Sequence, residues 1–309
     1  MCGIVGIINT DRRKIDGSHI REAIRIQRER GNGLGGGFSA YGIYPENRDK
    51  YAFHIMYEGN RHNPVIGQVE NFLERKTKRY FVKILEEQIN ADQTEEDCVV
   101  EIVMTINRMG GAFVVSSGKN MGVFKGVGYP EDVADYFRIE DYEAYVWTAH
   151  NRFPTNTPGW WGGAHPFTIL DKAVVHNGEI TSYGTNVRWL EMYGYFCLLQ
   201  TDTEVISYIY DKLTRKDRLS IRDACYAMAP SLWEEIEREN DGKKRTLRQI
   251  YGPAVVNGPF GIVLTHDRGA IVLNDRNKLR PVVCAKRGNT FYASSEECSI
   301  RLLSPDVDE

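Results

Sequence analysis

One residue near the start of the chain could carry a nucleophile and its base together. The sequence opens Met1-Cys2-Gly3-Ile4-Val5-Gly6-Ile7-Ile8. Small residues after an initiator methionine permit its removal, which leaves a cysteine with its own free α-amino group. A thiol attacks as thiolate, and at its ordinary pKa of ~8.5 only a few per cent is ionised at neutral pH. An α-amine, with pKa ~7.7 to 8.0, sits near the operating pH and can take the proton, so no second side chain is required. The same position also suits an ordinary core cysteine at the start of a buried strand, and the first ten residues leave both readings open.

Such a nucleophile needs a framework. The 309 residues carry 42% hydrophobic content, ample for a substantial core. There is no repeat, low-complexity tract or linker rich in Pro, Gly or Ser, so the expectation is one domain over residues 1–309 with a helical insertion around 62–110. Helical periodicity marks Val99, Ile102, Val103 and Ile106, and again Val205, Ile206, Ile209, Tyr210 and Leu213. A charged segment, 71–90, carries apolar pairs that predict a partly exposed helix. Short apolar runs at 111–117, 121–127, 145–149, 173–176, 260–265, 270–274, 281–285 and 290–293 read as strands. Turn-sized gaps between them favour antiparallel pairing, with helices laid on the sheets in an α+β sandwich.

Composition removes several functions. Lys and Arg number 39 against 42 Asp and Glu, so no strong basic field marks a nucleic-acid or anionic-membrane surface. No apolar stretch approaches the roughly 18 residues of a membrane span, and the apolar opening is too short for a signal-peptide core. A cytoplasmic protein is expected. Cys2, Cys98, Cys197, Cys225, Cys284 and Cys298 show no paired spacing of the zinc or iron–sulfur kind, and all but Cys2 read as inert thiols. Gly31, Gly33 and Gly36 satisfy a dinucleotide-binding pattern in letters only. A helical stretch, 19–30, precedes them and a strand-like Tyr41-Gly42-Ile43-Tyr44 follows, the reverse of the strand–turn–helix order that chemistry needs.

Three further segments stand out: His150-Asn151-Arg152-Phe153-Pro154-Thr155-Asn156-Thr157 running on through Trp160-Trp161 to His165-Pro166-Phe167, then His176-Asn177-Gly178-Glu179-Ile180, then Thr201-Asp202-Thr203-Glu204. Together with Cys2 they resemble the class II, N-terminal nucleophile glutamine amidotransferases. The wording is most similar to the glutaminase domain of glutamate synthase, and Asp275-Arg276-Asn277-Lys278-Leu279-Arg280-Pro281 and Ser294-Ser295-Glu296 extend the likeness over most of the chain. His165 departs from it, standing where glutamine is expected.

The resemblance implies a four-layer αββα N-terminal nucleophile (Ntn) hydrolase sandwich of two antiparallel sheets and hydrolysis of L-glutamine to glutamate and ammonia through a Cys2 thioester. Arg152 is then the bidentate partner of the substrate α-carboxylate, with the Thr155 hydroxyl as a second donor. The Asn177 side-chain amide and the Gly178 N–H form an oxyanion hole, in a pair that also reads as a turn. Asp202 binds the α-ammonium, although Thr201 and Glu204 fit a capping box that favours an acidic residue there in any case. His150 and His176 read as structural, because the α-amine already supplies the base. The loop 154–163 is either a lid that covers the substrate with Trp160 or Trp161, or a static loop packed by those rings.

No cofactor or metal is expected on this chain. It lacks the flavin barrel and iron–sulfur cysteines of a whole glutamate synthase, so the expected partners are separate synthase subunits bearing FMN and iron–sulfur centres and receiving ammonia. Two alternatives stand beside that: a subunit of an N-methylglutamate synthase or another ammonia-using complex, and a silent subunit that senses glutamine without hydrolysing it.

Overall fold

The computed structural model describes residues 1–59, 62–76, 81–155 and 157–309, with side chains at 74–76 and 88 excepted. Two antiparallel sheets lie face to face. The opening strand, Gly3–Asn9, is hydrogen-bonded on both sides, to Val146–Asn151 and to Thr290–Ser294. Gly36–Tyr41 and Met121–Gly126 continue the sheet beyond Val146–Asn151, and Val283–Arg287 forms its other edge, six strands in all. The second sheet runs Phe167–Ile169, Lys172–Gly178, Phe260–His266, Gly269–Asn274 in spatial order.

Alternation along each strand explains the layers. Ile4 and Ile8 turn toward the second sheet, where Ile4 meets Val175 and Val263 and Ile8 meets Ala173. Val5 and Ile7 turn the other way and pack with Trp147, Phe38, Ile20, Ile24 and Val133 beneath the helices Gly17–Arg25 and Pro130–Phe137. On the far face of the second sheet, Val174, Ile262 and Leu264 meet Val99, Ile102, Val205, Ile206 and Ile209 of the helices Glu95–Asn107 and Asp202–Asp211. Full burial of each such side chain is worth ~1.5–3 kcal/mol. The order helix, sheet, sheet, helix is the αββα sandwich. Among the described residues, no helix is long and apolar enough to cross a membrane.

Three local expectations are corrected. The helix over 71–90 is shorter and earlier, Val65–Lys76; residues 77–80 lie outside the described ones, and Phe81–Val82 then pairs with Tyr51–Ala52. Val82 and Ile84 are buried there, so apolar residues that could form a helical stripe instead serve a short ladder. The strand after the glycine run is Gly36–Tyr41 and not 41–44. Two of its glycines are demanded by packing: a Cβ on Gly37 would fall 2.3 Å from the His165 carbonyl oxygen, and one on Gly36 would meet the Pro130 backbone at 2.9 Å. Finally, Ala112–Ser116 pairs with His54–Tyr57 in a separate ladder outside both large sheets.

Candidate functional site

Ile4 and Val175 pack against each other across the gap between the sheets. Two residues before Ile4 is Cys2, and two residues after Val175 is Asn177. The period of two carries both to the same end of that gap. Here a cavity of about 550 Å³ opens, lined among others by Cys2, Arg152, Thr155, Gly178, Tyr183 and Asp202. The fold therefore gathers residues from five separate stretches of sequence at one place.

Cys2 is partly exposed, and its Sγ lies 3.3 Å from the Phe153 N–H, which donates to it. Burial pushes the thiol pKa up, against the opposing pull of the Phe153 backbone and the Arg152 charge. A thiol so placed needs a base beside it. The Cys2 carbonyl is fixed from behind by Arg30, whose Nε donates to it at 2.9 Å and whose Nη1 pairs with Glu296.

Asn177 is 2% exposed, and its Nδ2 has no hydrogen-bond partner among the described residues. Buried amide donors are nearly always paired, so this one calls for an acceptor that the protein itself does not supply. Gly178 follows with φ +153°, and a Cβ there would lie 2.0 Å from the Pro259 carbonyl oxygen. Only glycine fits.

Arg152 is 3% exposed. Its Nη1 donates to the Pro158 carbonyl at 3.0 Å and its Nη2 to Thr157 Oγ1 at 2.6 Å, so the guanidinium is tied to the loop that follows it. Gly163 makes room, since a Cβ there would touch Nη2 at 2.4 Å. The Thr155 hydroxyl donates to Glu179 Oε1, a partner the sequence did not suggest, and a substrate carboxylate would have to compete for it. Asn156, part of the same motif, lies outside the described residues. Trp160 and Trp161 do not line the cavity: both rings pack edge-on against Phe113, beside Phe167 and Leu199. Of the two arrangements the sequence left open, the structure shows the packed loop, in which Phe113 offers these rings an apolar seat.

Asp202 opens the helix Asp202–Asp211, capped by the Thr201 hydroxyl, which accepts from the Glu204 N–H. The capping box is only half made. The Glu204 carboxylate turns instead to the Leu199 N–H and the Tyr208 hydroxyl. Burial raises the Asp202 pKa, but the His176 imidazole, the Ile180 N–H and the Thr203 hydroxyl outweigh it and hold the carboxyl below its ordinary value. His150 donates no hydrogen bond to Cys2; its Nε2 bonds the His176 carbonyl at 3.0 Å. His165, which lines the cavity, and Thr203, neither singled out as a site residue from sequence, meet with Nε2 to Oγ1 2.6 Å.

The buried histidines impose a pH dependence on stability. Burial lowers His150 to about 3 and His165 well below 6.5, so in the folded protein both stay neutral where the unfolded chain binds protons. Their contribution is complete above pH ~6.5 and is lost as pH falls below it, by ~1.4 kcal/mol per pH unit for each group. Glu204, raised to about 7 by burial, opposes one of them down to pH ~4.5, since the folded state then binds the extra proton. His54, also lowered by burial, adds to the loss. Urea unfolding at pH 6.5 and 5 should therefore show stability falling by about 1 kcal/mol per unit or more; a flat profile would contradict neutral burial of these rings.

Known proteins share both the sequence and the fold of this arrangement. Residues 61–196, which include the Arg152 and Asn177 segments, match the family model described as glutamine amidotransferases class-II. An uncharacterized protein from Archaeoglobus fulgidus is 46% identical over 99% of this chain and 88% of its own length. An amidophosphoribosyltransferase from Methanocaldococcus jannaschii is 23% identical over 64% of this chain, which spans only 37% of that protein. A solved glutamine phosphoribosylpyrophosphate amidotransferase from B. subtilis aligns with 98% of this chain and 43% of its own at TM-score 0.54 and 14% identity, a likeness of fold alone. The match over residues 61–196 is thus to class II glutamine amidotransferases and takes in two of the site's segments, and the sandwich around it is the fold that a solved amidotransferase shares.

Proposed function

We propose that this chain is a glutaminase subunit that hydrolyses L-glutamine at Cys2 and delivers the ammonia to a partner synthase, of which a glutamate synthase is the favoured type. The observation that carries the catalytic part is the buried, unpartnered Asn177 Nδ2, next to Gly178 on the wall of the Cys2 cavity. A donor held ready in a water-poor site stabilises a charge that exists only during reaction.

After loss of Met1, the α-amine of Cys2 takes the thiol proton and the thiolate adds to the side-chain amide carbon. The tetrahedral oxyanion is met by Asn177 Nδ2 and the Gly178 N–H. Its collapse expels ammonia, which carries the proton returned from the α-ammonium, and water then cleaves the γ-glutamyl thioester to glutamate. Arg152 grips the α-carboxylate, with Thr155 as the second donor once it releases Glu179, and Asp202 takes the α-ammonium. The synthase chemistry, with its FMN and iron–sulfur centres, resides on separate partner subunits in the cytoplasm.

Two measurements test this reading. Intact mass of the active protein should lack Met1, and an electrophilic glutamine analogue should label Cys2 while sparing Cys284 and Cys298, the exposed thiols. Labelling of those instead would remove the nucleophile from the scheme. Arg152→Lys should raise KM for glutamine by roughly 10-fold to 100-fold, because an ammonium cannot reproduce the planar fork or its ties to Thr157 and Pro158. An unchanged KM would dismiss Arg152 as the carboxylate partner. Binding of glutamine without turnover would favour the silent sensor.

A further inference from the structure

Three buried imidazoles, of which His165 and His176 line the cavity, take no part in the hydrolysis as written above. His150 stacks on His165 with ring centroids 3.9 Å apart, and His176 meets His165 edge-on at 6.5 Å. Each ring has one bonded nitrogen and one, His150 Nδ1, His165 Nδ1 and His176 Nε2, without a hydrogen-bond partner among the described residues.

The bonding pattern fixes where the protons sit. His150 Nε2 faces a carbonyl, which can only accept, so Nε2 carries the hydrogen and Nδ1 is a bare lone pair. The other two rings follow the same logic. If their unpartnered nitrogens carried hydrogens, two donors would be buried with nothing to receive them, the costlier arrangement. The hydrogens therefore lie on the bonded side, and both His165 Nε2 and His176 Nδ1 donate to Thr203 Oγ1, at 2.6 and 3.1 Å. A hydroxyl has two lone pairs and one hydrogen. With both lone pairs taken, its hydrogen goes to the remaining acceptor, Asp202 Oδ1 at 3.3 Å. The other carboxylate oxygen, Oδ2, accepts from the Ile180 N–H at 2.9 Å.

We propose that His165, His176 and Thr203 form a directed hydrogen-bond relay that orients the Asp202 carboxylate and so sets the requirement for a free α-ammonium on the substrate. The relay rests on the reading of Asp202 as the ammonium partner. Its members are positioning residues, acting through Asp202 and not on the scissile amide. It also accounts for a histidine at position 165. A glutamine there could place its side-chain nitrogen where His165 Nε2 lies and feed the same hydroxyl, whereas an apolar ring could not.

The test compares L-glutamine with glutaramate, the same amide without the α-amino group. Wild-type protein should prefer glutamine strongly. Thr203→Val should lower kcat/KM for glutamine roughly 10-fold or more, mainly through KM, and leave glutaramate unchanged, since one hydrogen bond to a charged group is lost. Thr203→Ser should restore the preference, as should His165→Gln, while His165→Phe should not. General damage to the fold would lower both substrates together. Equal losses on both, or a Thr203→Val protein that still discriminates, would overturn the relay. If Thr203→Val fails to fold, the contrast between His165→Gln and His165→Phe carries the decision: equal discrimination in the two overturns the relay. A wild-type enzyme that hydrolyses glutamine and glutaramate alike would overturn Asp202 as the ammonium partner, and the relay with it. Absence of any hydrolysis by the wild-type complex would strike the glutaminase reading first and leave the relay nothing to orient.

Discussion

Replacing Cys2 by alanine is expected to reduce glutamine hydrolysis by roughly 10⁴-fold or more, because the nucleophile and its thioester route vanish together. In a reconstituted complex the same variant should still make product from added ammonium salts if, as proposed, the acceptor chemistry belongs to the partner. The structure sharpens this expectation. Burial pushes the Cys2 thiol up, so little thiolate exists without a base, and neither His150 nor His176 is bonded to Sγ. Chains that retain Met1 should therefore resemble Cys2→Ala in activity while keeping the thiol. A Cys2→Ala complex that assembles yet loses synthesis from ammonium as well would show that this chain contributes to the synthase step itself.

Asn177→Ala is expected to lower kcat by ~10²- to 10³-fold with little change in KM, the usual cost of one oxyanion donor. Its second signature is the stability of the variant. Nδ2 makes no hydrogen bond among the described residues, so removing it takes away a buried, unsatisfied donor and breaks no bond there. Thermal or urea unfolding should show the variant no less stable than a typical conservative core substitution predicts, while activity collapses. A variant that loses stability and activity in proportion would mark Asn177 as structural.

Much of the fold was legible in the chain because its strands are apolar runs bounded by turns. Runs such as 173–176, 260–265 and 290–293 each lie inside an observed strand. Where the expectation failed, tertiary contact decided between conformations of equal local merit: Val82 and Ile84 suit a helical stripe until Tyr51–Ala52 offers an edge to pair with. The strand expected at 41–44 starts earlier for the same reason: Gly36 and Gly37 are strand residues thinned to admit Pro130 and the His165 carbonyl. At the site, Cys2, Arg152, Asn177, Gly178 and Asp202 were visible through their motifs; the structure brings Cys2, Arg152, Gly178 and Asp202 to the lining of one cavity, with Asn177 buried next to Gly178 in sequence. Thr203 was not. As one hydroxyl among many, its place at the meeting of His165, His176 and Asp202 depends on histidines 38 and 27 positions away in sequence, and no local pattern announces it.

The two-sided pairing of the opening strand has a temporal consequence. Gly3–Asn9 is seated between Val146–Asn151 and Thr290–Ser294, so it cannot be locked on both sides until a strand made about 280 residues later has emerged. At ~5–20 residues per second, that wait is roughly 15 to 60 s. Throughout it the amino terminus is the tip of an unpaired chain, within reach of a peptidase, and the thiol behind it is not yet aimed at anything. On the proposed mechanism, the reactive centre is completed only when that later strand arrives, however early Met1 is removed.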